Sequence, residues 1–249
     1  MSKLFVYVKY LAVPLALLMP LAAQTQNQEQ GITRQQADQI LNELRQIRQL
    51  LEKQQAKAQG PGEPTRASLN LEGVQMMGSK DAPVTMVEFT DYQCPFCRQF
   101  HMTVFNDLKK NFIDTAKVRF YSRDLPLDSL HPNATRAAQA ARCAAEQGQF
   151  WPMRSLMGSN PDKLDMDHLA GFATDLKMDT LAFRNCVESG KYKSAVESDV
   201  QEAIRMGAQA TPTFVIGKST PEGVDGELVV GALPYATFEQ KIKQLEAAK

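Results

Sequence analysis

Two cysteines enclosing a proline and a phenylalanine, Cys94-Pro95-Phe96-Cys97, stand where two segments of different periodicity meet, and that junction constrains the fold more than any other feature of the chain. Before it, Val84 to Phe89 (VTMVEF) is β-branched and almost continuously apolar, the pattern of a strand buried on both faces. After it, Phe96, Phe100, Val104, Leu108 and Phe112 recur every four residues, the stripe of a helix. A strand passing directly into a helix places Pro95 at the first helical position, where a missing N–H costs nothing. Cys94 then becomes the N-cap and Cys97 lies one turn inside. Unpaired N–H groups and the positive end of the helix dipole face the Cys94 sulfur and favour thiolate over thiol. In this arrangement Cys94 is the expected nucleophile of disulfide exchange, and Cys97 the more buried thiol that resolves the mixed disulfide. The competing reading of a CxxC, half of a tetrahedral zinc site, needs two further ligands at comparable spacing. Cys143 and Cys186 are too isolated to supply them, so no metal is assigned to the pair.

The chain has 249 residues, room for one full domain and additional segments, since folding units run to roughly 100–200 residues. Its 28 basic and 28 acidic residues cancel, leaving no global field to draw it onto nucleic acid. Beyond the junction, Val118 to Tyr121 reads as a second strand. The Ala-, Leu-, Met- and Gln-rich stretch from Ala134 to Val187 has helical spacing, broken at Gly158 to Pro161 and near Lys177 to Asp179. One more helix is expected over Ser194 to Met206. Thr213 to Ile216 and Leu228 to Val230 read as strands joined by a glycine-containing turn, and Tyr235 to Leu245 as the closing helix. The fold class is α/β, with an all-helical insertion at about 132–189 in a domain spanning 68–249.

The first residues set the expected compartment. Lys3 and Lys9 precede a mostly apolar run from Tyr10 to Leu21, and Leu21-Ala22-Ala23 offers small residues for cleavage. Residues 1–23 therefore read as a secretory signal rather than an uncleaved anchor, because spanning a bilayer takes about 20 apolar residues. A periplasmic or otherwise extracytoplasmic location is expected. There, pairing of Cys143 with Cys186 as a structural disulfide is favoured over two buried reduced thiols. In residues 24–58, Ala37, Ile40, Leu44, Ile47 and Leu51 recur at intervals of three and four among polar residues. This stripe reads either as a short oligomerising coiled coil over 32–58 or as an amphipathic helix packed on its own domain. Residues 59–67, opening on Gln59-Gly60-Pro61-Gly62, form a linker.

The run Val87 to His101 (VEFTDYQCPFCRQFH) closely resembles the active-site segment of the DsbA-like branch of the thioredoxin superfamily. The resemblance continues through Arg123 to Pro126 (RDLP), Ala140 to Trp151 (AARCAAEQGQFW), Gly207 to Phe214 (GAQATPTF) and Gly231 to Tyr235 (GALPY). It covers about residue 68 to the C-terminus and leaves the N-terminal helix aside. It implies a thioredoxin fold carrying a helical insertion; no cofactor is expected. It also implies that Thr211-Pro212 is a cis peptide packed against the reactive pair and presenting backbone to extended substrate, the other reading being a proline that opens an edge strand. Pro95, Phe96 and Thr211 are thereby assigned to the substrate-facing surface. Glu88, in the middle of the apolar strand, is expected to have a raised pKa from burial. The resemblance makes it a general acid/base for Cys97, against the alternative of a strand-edge glutamate reaching solvent. His101, one turn beyond Cys97, reads as a packing histidine before a metal ligand, and Phe150 and Trp151 as core.

Three functions compete at this level. The first is a dithiol oxidase that donates its disulfide to exported cysteine-containing proteins and is reoxidised by a membrane redox partner. The second is an oligomeric isomerase or reductase, suggested by the N-terminal helix and by threonine before Pro212. The third is a non-catalytic metal-binding or chaperone-like protein.

Overall fold

A computed structural model describes residues 33–58 and 65–248. The signal-like segment 1–23 lies outside them, as does most of the linker. The chain divides into two units between Gly62 and Glu63.

The first unit contributes α1 (Arg34–Ala58). Thr33 and Gln36 start it as a reciprocal capping box: Gln36 N–H donates to Thr33 Oγ1 at 3.2 Å, and Thr33 N–H to Gln36 Oε1 at 3.0 Å. Its apolar residues Ile40, Leu41, Leu44, Ile47 and Leu50 are between 47% and 61% exposed. The side chain of Leu51 lies outside the described residues.

The second unit is built on a six-stranded sheet of order β1-β6-β5-β3-β4-β2. These are β1 (Arg66–Asn70), β2 (Met76–Met77), β3 (Val84–Thr90), β4 (Val118–Asp124), β5 (Thr213–Ser219) and β6 (Gly223–Val230). Every residue of β3 is buried; it runs parallel to β4 and antiparallel to β5. Alternation along the strands sends Val84, Met86, Val118 and Phe120 to one face. There they meet Phe100, Leu108 and Phe112 of α2 (95–113) and Phe238 and Ile242 of α8 (Tyr235–Ala247). Phe100, Phe214 and Phe238 interlock with ring centroids 4.7–5.4 Å apart. Val87, Phe89 and Val215 face the other way, into a core with Ala203 of α7 (Lys193–Arg205). Between β4 and α7 the chain folds into α3 (Ala134–Ala145), α4 (Phe150–Ser159), α5 (Met166–Asp175) and α6 (Thr180–Glu188) around a core of their own. Asp165 and Asp179 cap α5 and α6 through their side chains. The architecture is a thioredoxin fold with an inserted helical subdomain.

Three details depart from the sequence reading. The helical stretch has an additional break at Gly148, whose φ of +71° turns the chain between α3 and α4. The edge strands β1 and β2 had no strong signal, since RASLN is half-polar and β2 is two residues long. The β5 and β6 ladder also extends through residues that read as turn. Gly217 pairs with Gly226, and a methyl group added to Gly217 would lie 2.0 Å from Asp225 O, so a glycine-rich stretch here is close strand pairing.

Candidate active site

Chain direction reverses from β3 into α2 at Cys94, which has extended backbone (φ −68°, ψ 123°), with Pro95 at the start of the helix and Arg98 N–H donating to Cys94 O at 3.1 Å. The helix then runs as Pro95–Phe100, a π-helical segment His101–Phe105, a short Asn106–Leu108 turn and a second π-helical segment Lys109–Ile113. The widened turn beginning at His101 is of the kind found at functional sites.

Both thiols are almost wholly covered, Cys94 at 4% and Cys97 at 3% exposure, while Phe96 between them is 60% exposed. As a thiol, Cys94 donates from Sγ to Thr211 O at 3.3 Å, and Thr211-Pro212 is cis. The Cys97 thiol, the Thr211 side chain and the backbone N–H groups of Cys97 and Phe96 together hold the Cys94 thiolate, drawing its pKa from 9 to about 5 against the cost of burial. Cys97 moves the opposite way, well above 9. Burial comes first, followed by its hydrogen bond to Cys94 and the negative charge of Glu88. One sulfur is thus an anion at neutral pH and its neighbour a neutral donor.

Strand parity places Glu88 on the α2 face, fully buried. Its oxygens lie 3.0 Å from His101 Nε2, and Arg154 Nη2 of α4 donates to Oε2 at 2.5 Å. Arg154 Nε donates in turn to Ser122 Oγ at 3.1 Å. The expectation of a raised Glu88 pKa is overturned. Burial does push it up, but His101 and Arg154 outweigh that and bring the carboxyl from 4.5 to about 2. Burial lowers the pKa of His101 itself, while Arg154 supplies a permanent positive charge against Glu88. Among the described residues no group of three or more His, Cys, Asp or Glu side chains is placed to hold a metal ion.

The loop ahead of Cys94 is tied to the helical subdomain. The Asp91 carboxylate accepts from Gln93 N–H at 2.8 Å and Leu127 N–H at 2.9 Å, and lies 2.7 Å from His131 Nδ1. Gln93 accepts from Asn133 N–H at 2.6 Å and donates to Pro161 O at 3.3 Å. Elsewhere in the subdomain Cys143 and Cys186 are bonded, joining α3 to α6. Phe150 is buried, and Trp151 is partly buried with its indole N–H donating to Met76 O.

The structure therefore brings Cys94, Cys97, Pro95, Phe96, Thr211, Pro212 and Glu88 to one region, with Cys143–Cys186 apart from it. Sequence reading missed Arg154, Asp91 and Gln93. Arg154 carried a signal: it falls four residues after Phe150 on the stripe that includes Met153 and Met157, an arginine where a buried apolar residue belongs.

A family model described as thioredoxin matches residues 71–242. Among curated proteins the chain is 37% identical over 139 residues to the Na(+)/H(+) antiporter NhaA 3 of Salinispora tropica, covering 56% of this chain and 21% of that protein. It is 35% identical over 158 residues to the Na(+)/H(+) antiporter NhaA of Herminiimonas arsenicoxydans, covering 63% and 24%. The chain thus spans about a quarter or less of those relatives. Among solved structures it resembles alpha-DsbA1 of Wolbachia pipientis, with TM-score 0.61 and 26% identity over 71% of this chain and 92% of that one. It shares the fold of oxidised BdbD from Bacillus subtilis, with TM-score 0.64 and 24% identity over 74% and 98%. On the matched family model and these neighbours, the chain belongs to the thioredoxin family and is a DsbA-like member of that superfamily.

Proposed function

We propose that the protein is an exported thiol-disulfide oxidoreductase that donates the Cys94–Cys97 disulfide to cysteine-containing proteins and is reoxidised by a membrane redox partner. The observation that carries this reading is the split between the two thiols. A Cys94 pKa near 5 stabilises the reduced form as a thiolate, which makes the disulfide the more readily surrendered state. A substrate thiolate attacks Cys94 Sγ, the S–S bond breaks and Cys97 departs, taking up a proton because its thiolate is disfavoured. A second substrate thiolate attacks the substrate sulfur of the mixed disulfide and expels Cys94 as thiolate. The substrate gains a disulfide and the protein is left with Cys94 as thiolate and Cys97 as thiol. Thr211, whose carbonyl touches Cys94, together with Pro95, Phe96 and Pro212, forms the surface against which substrate lies. Glu88 acts as a fixed negative charge that keeps Cys97 protonated, a role suited to a carboxylate held near 2, which is a poor proton carrier.

Export is supported by the basic, then apolar, first residues and by the Cys143–Cys186 bond, of a kind that persists in oxidising compartments. Among the described residues no helix is long and apolar enough to cross a membrane. One observation favours the second reading, an oligomeric isomerase: the exposed stripe on α1, which has the pattern of a self-association seam. The test gives oxidised protein a reduced, unfolded, multi-cysteine substrate, and reduced protein the scrambled form in a glutathione buffer, beside a version starting at Glu63, which keeps β1 whole. Rapid oxidation by both lengths without recovery of scrambled substrate supports the oxidase. Recovery of native pairing by the full chain alone refutes it in favour of the isomerase.

A further inference from the structure

α1 lies outside the segment 71–242 that matches the family model, so its role does not come with the shared fold. Counted from Ala37, its seam puts Ala37, Leu44 and Leu51 at the a positions of a heptad and Ile40, Ile47 and Gln54 at the d positions. The flanking e and g positions hold Leu41 and Leu50, and both are exposed, as are Ile40, Leu44 and Ile47. Most of a helix's stability in water comes from covering its apolar face, so this one calls for a partner.

The order of the seam residues says which partner. A β-branched side chain packs well where its Cα–Cβ bond runs alongside the facing backbone and poorly where that bond points straight at it. In two-stranded coiled coils the favourable place is a and the unfavourable one is d; in four-stranded ones the two exchange. Ile at a with Leu at d therefore favours two strands, whereas Leu at a with Ile at d, the order in α1, favours more. The arc that each helix turns toward its neighbours widens with the number of strands, and Leu41 and Leu50 widen the apolar stripe of α1 to match. The polar flanks give the direction. Glu43 at g and Arg48 at e are five positions apart, the offset at which g of one strand meets e of the next when strands run parallel. Antiparallel strands set g against g and e against e, and the two charges do not meet. We propose that α1 is one strand of a parallel, four-stranded coiled coil formed by four copies of this chain. Parallel strands send all four chains on toward their redox domains from the same end. The inference stands on α1 alone and holds for either direction of disulfide exchange.

The test weighs the full chain, recovered after export, by sedimentation equilibrium at micromolar concentrations, with the pH profile of Cys94 alkylation as the check that the redox domain is folded. Four times the chain mass is expected. Exchanging the seam residues, Ile40→Leu/Leu44→Ile/Ile47→Leu/Leu51→Ile, keeps composition and hydrophobicity and should halve that mass. Leu44→Asp/Ile47→Asp should give monomers with the Cys94 profile unaltered. Glu43→Lys should weaken assembly severalfold, and Glu43→Lys/Arg48→Glu should restore it. A wild type that stays monomeric overturns the proposal, whether the stripe then meets its own domain, a lipid surface or a different protein. An assembly of two or three chains, or an exchanged seam that still assembles as four, overturns the four-stranded assignment. A double charge reversal no better than Glu43→Lys overturns the parallel direction. A wild type of four chains that exchanges no disulfide supports the assembly while defeating the function proposed above, so the two fail separately.

Discussion

Replacing Cys97 tests the electrostatic core of the site. The Cys94 pKa falls from 9 to about 5, a preference for the charged form of roughly 5 kcal/mol at 1.36 kcal/mol per unit, and the largest favourable contribution is the hydrogen bond from Cys97. A hydrogen bond to a charged group is worth about 1.5–3 kcal/mol, so Cys97→Ala should raise the Cys94 pKa by about 1–2 units. Thr211 and the N–H groups of Phe96 and the residue at 97 remain and hold it below 9. Cys97→Ser keeps an O–H donor in place and should titrate much closer to the wild-type value. The assay is the pH dependence of thiolate absorbance, checked against the rate of alkylation by iodoacetamide, for the two variants and the reduced wild type. If the alanine and serine variants titrate together, or if Cys97→Ala remains near 5, the thiol of Cys97 is not what stabilises the anion.

The buried ion pair yields a second expectation. Arg154→Met strips Glu88 of its cation and should cost about 3–5 kcal/mol in urea unfolding, whereas pairing it with Glu88→Gln should recover more than half. Because the folded Glu88 pKa lies near 2 and the ordinary value is 4.5, its contribution is complete above 4.5 and is lost as pH falls toward 2. That contribution, roughly 3 kcal/mol, should be absent from the acid-unfolding profile of Glu88→Gln. His101, whose pKa burial lowers, adds acid destabilisation that begins higher, near its ordinary 6.5. The Cys143–Cys186 bond closes a loop with a sequence separation of 43, for which chain entropy suggests about 4 kcal/mol; Cys143→Ala/Cys186→Ala should lower the unfolding midpoint while Cys94 alkylation keeps its pH dependence.

How far the site could be read in advance depended on how local its cause was. The Cys94-to-Cys97 turn was legible because a buried strand and an amphipathic helix meet there within a few residues. Glu88 was visible as a carboxylate in an apolar run, but the sign of its pKa shift was not, since its neutralising partner lies 66 residues further along on α4. Alternation alone left open which face Glu88 took; the side on which α2 packs decides it. The β5 and β6 ladder hid behind glycines that usually signal turns, and β1 and β2 are edges whose polar or very short sequences carry little periodicity.

The attachments of the helical subdomain to the catalytic loop limit how the fold can be taken apart. Asn133 and Pro161 grip Gln93, His131 meets Asp91, and Arg154 reaches across to Glu88. Excising residues 134–188 to obtain a minimal redox module would discard the counter-charge beneath Cys97 and a clamp on the residue preceding Cys94. A graft of the four-residue motif into another thioredoxin scaffold would carry the sulfurs without their surroundings. The transferable unit is the motif together with α4, so variation in the subdomain is a means by which evolution, or an engineer, retunes the chemistry without altering a residue between the two cysteines.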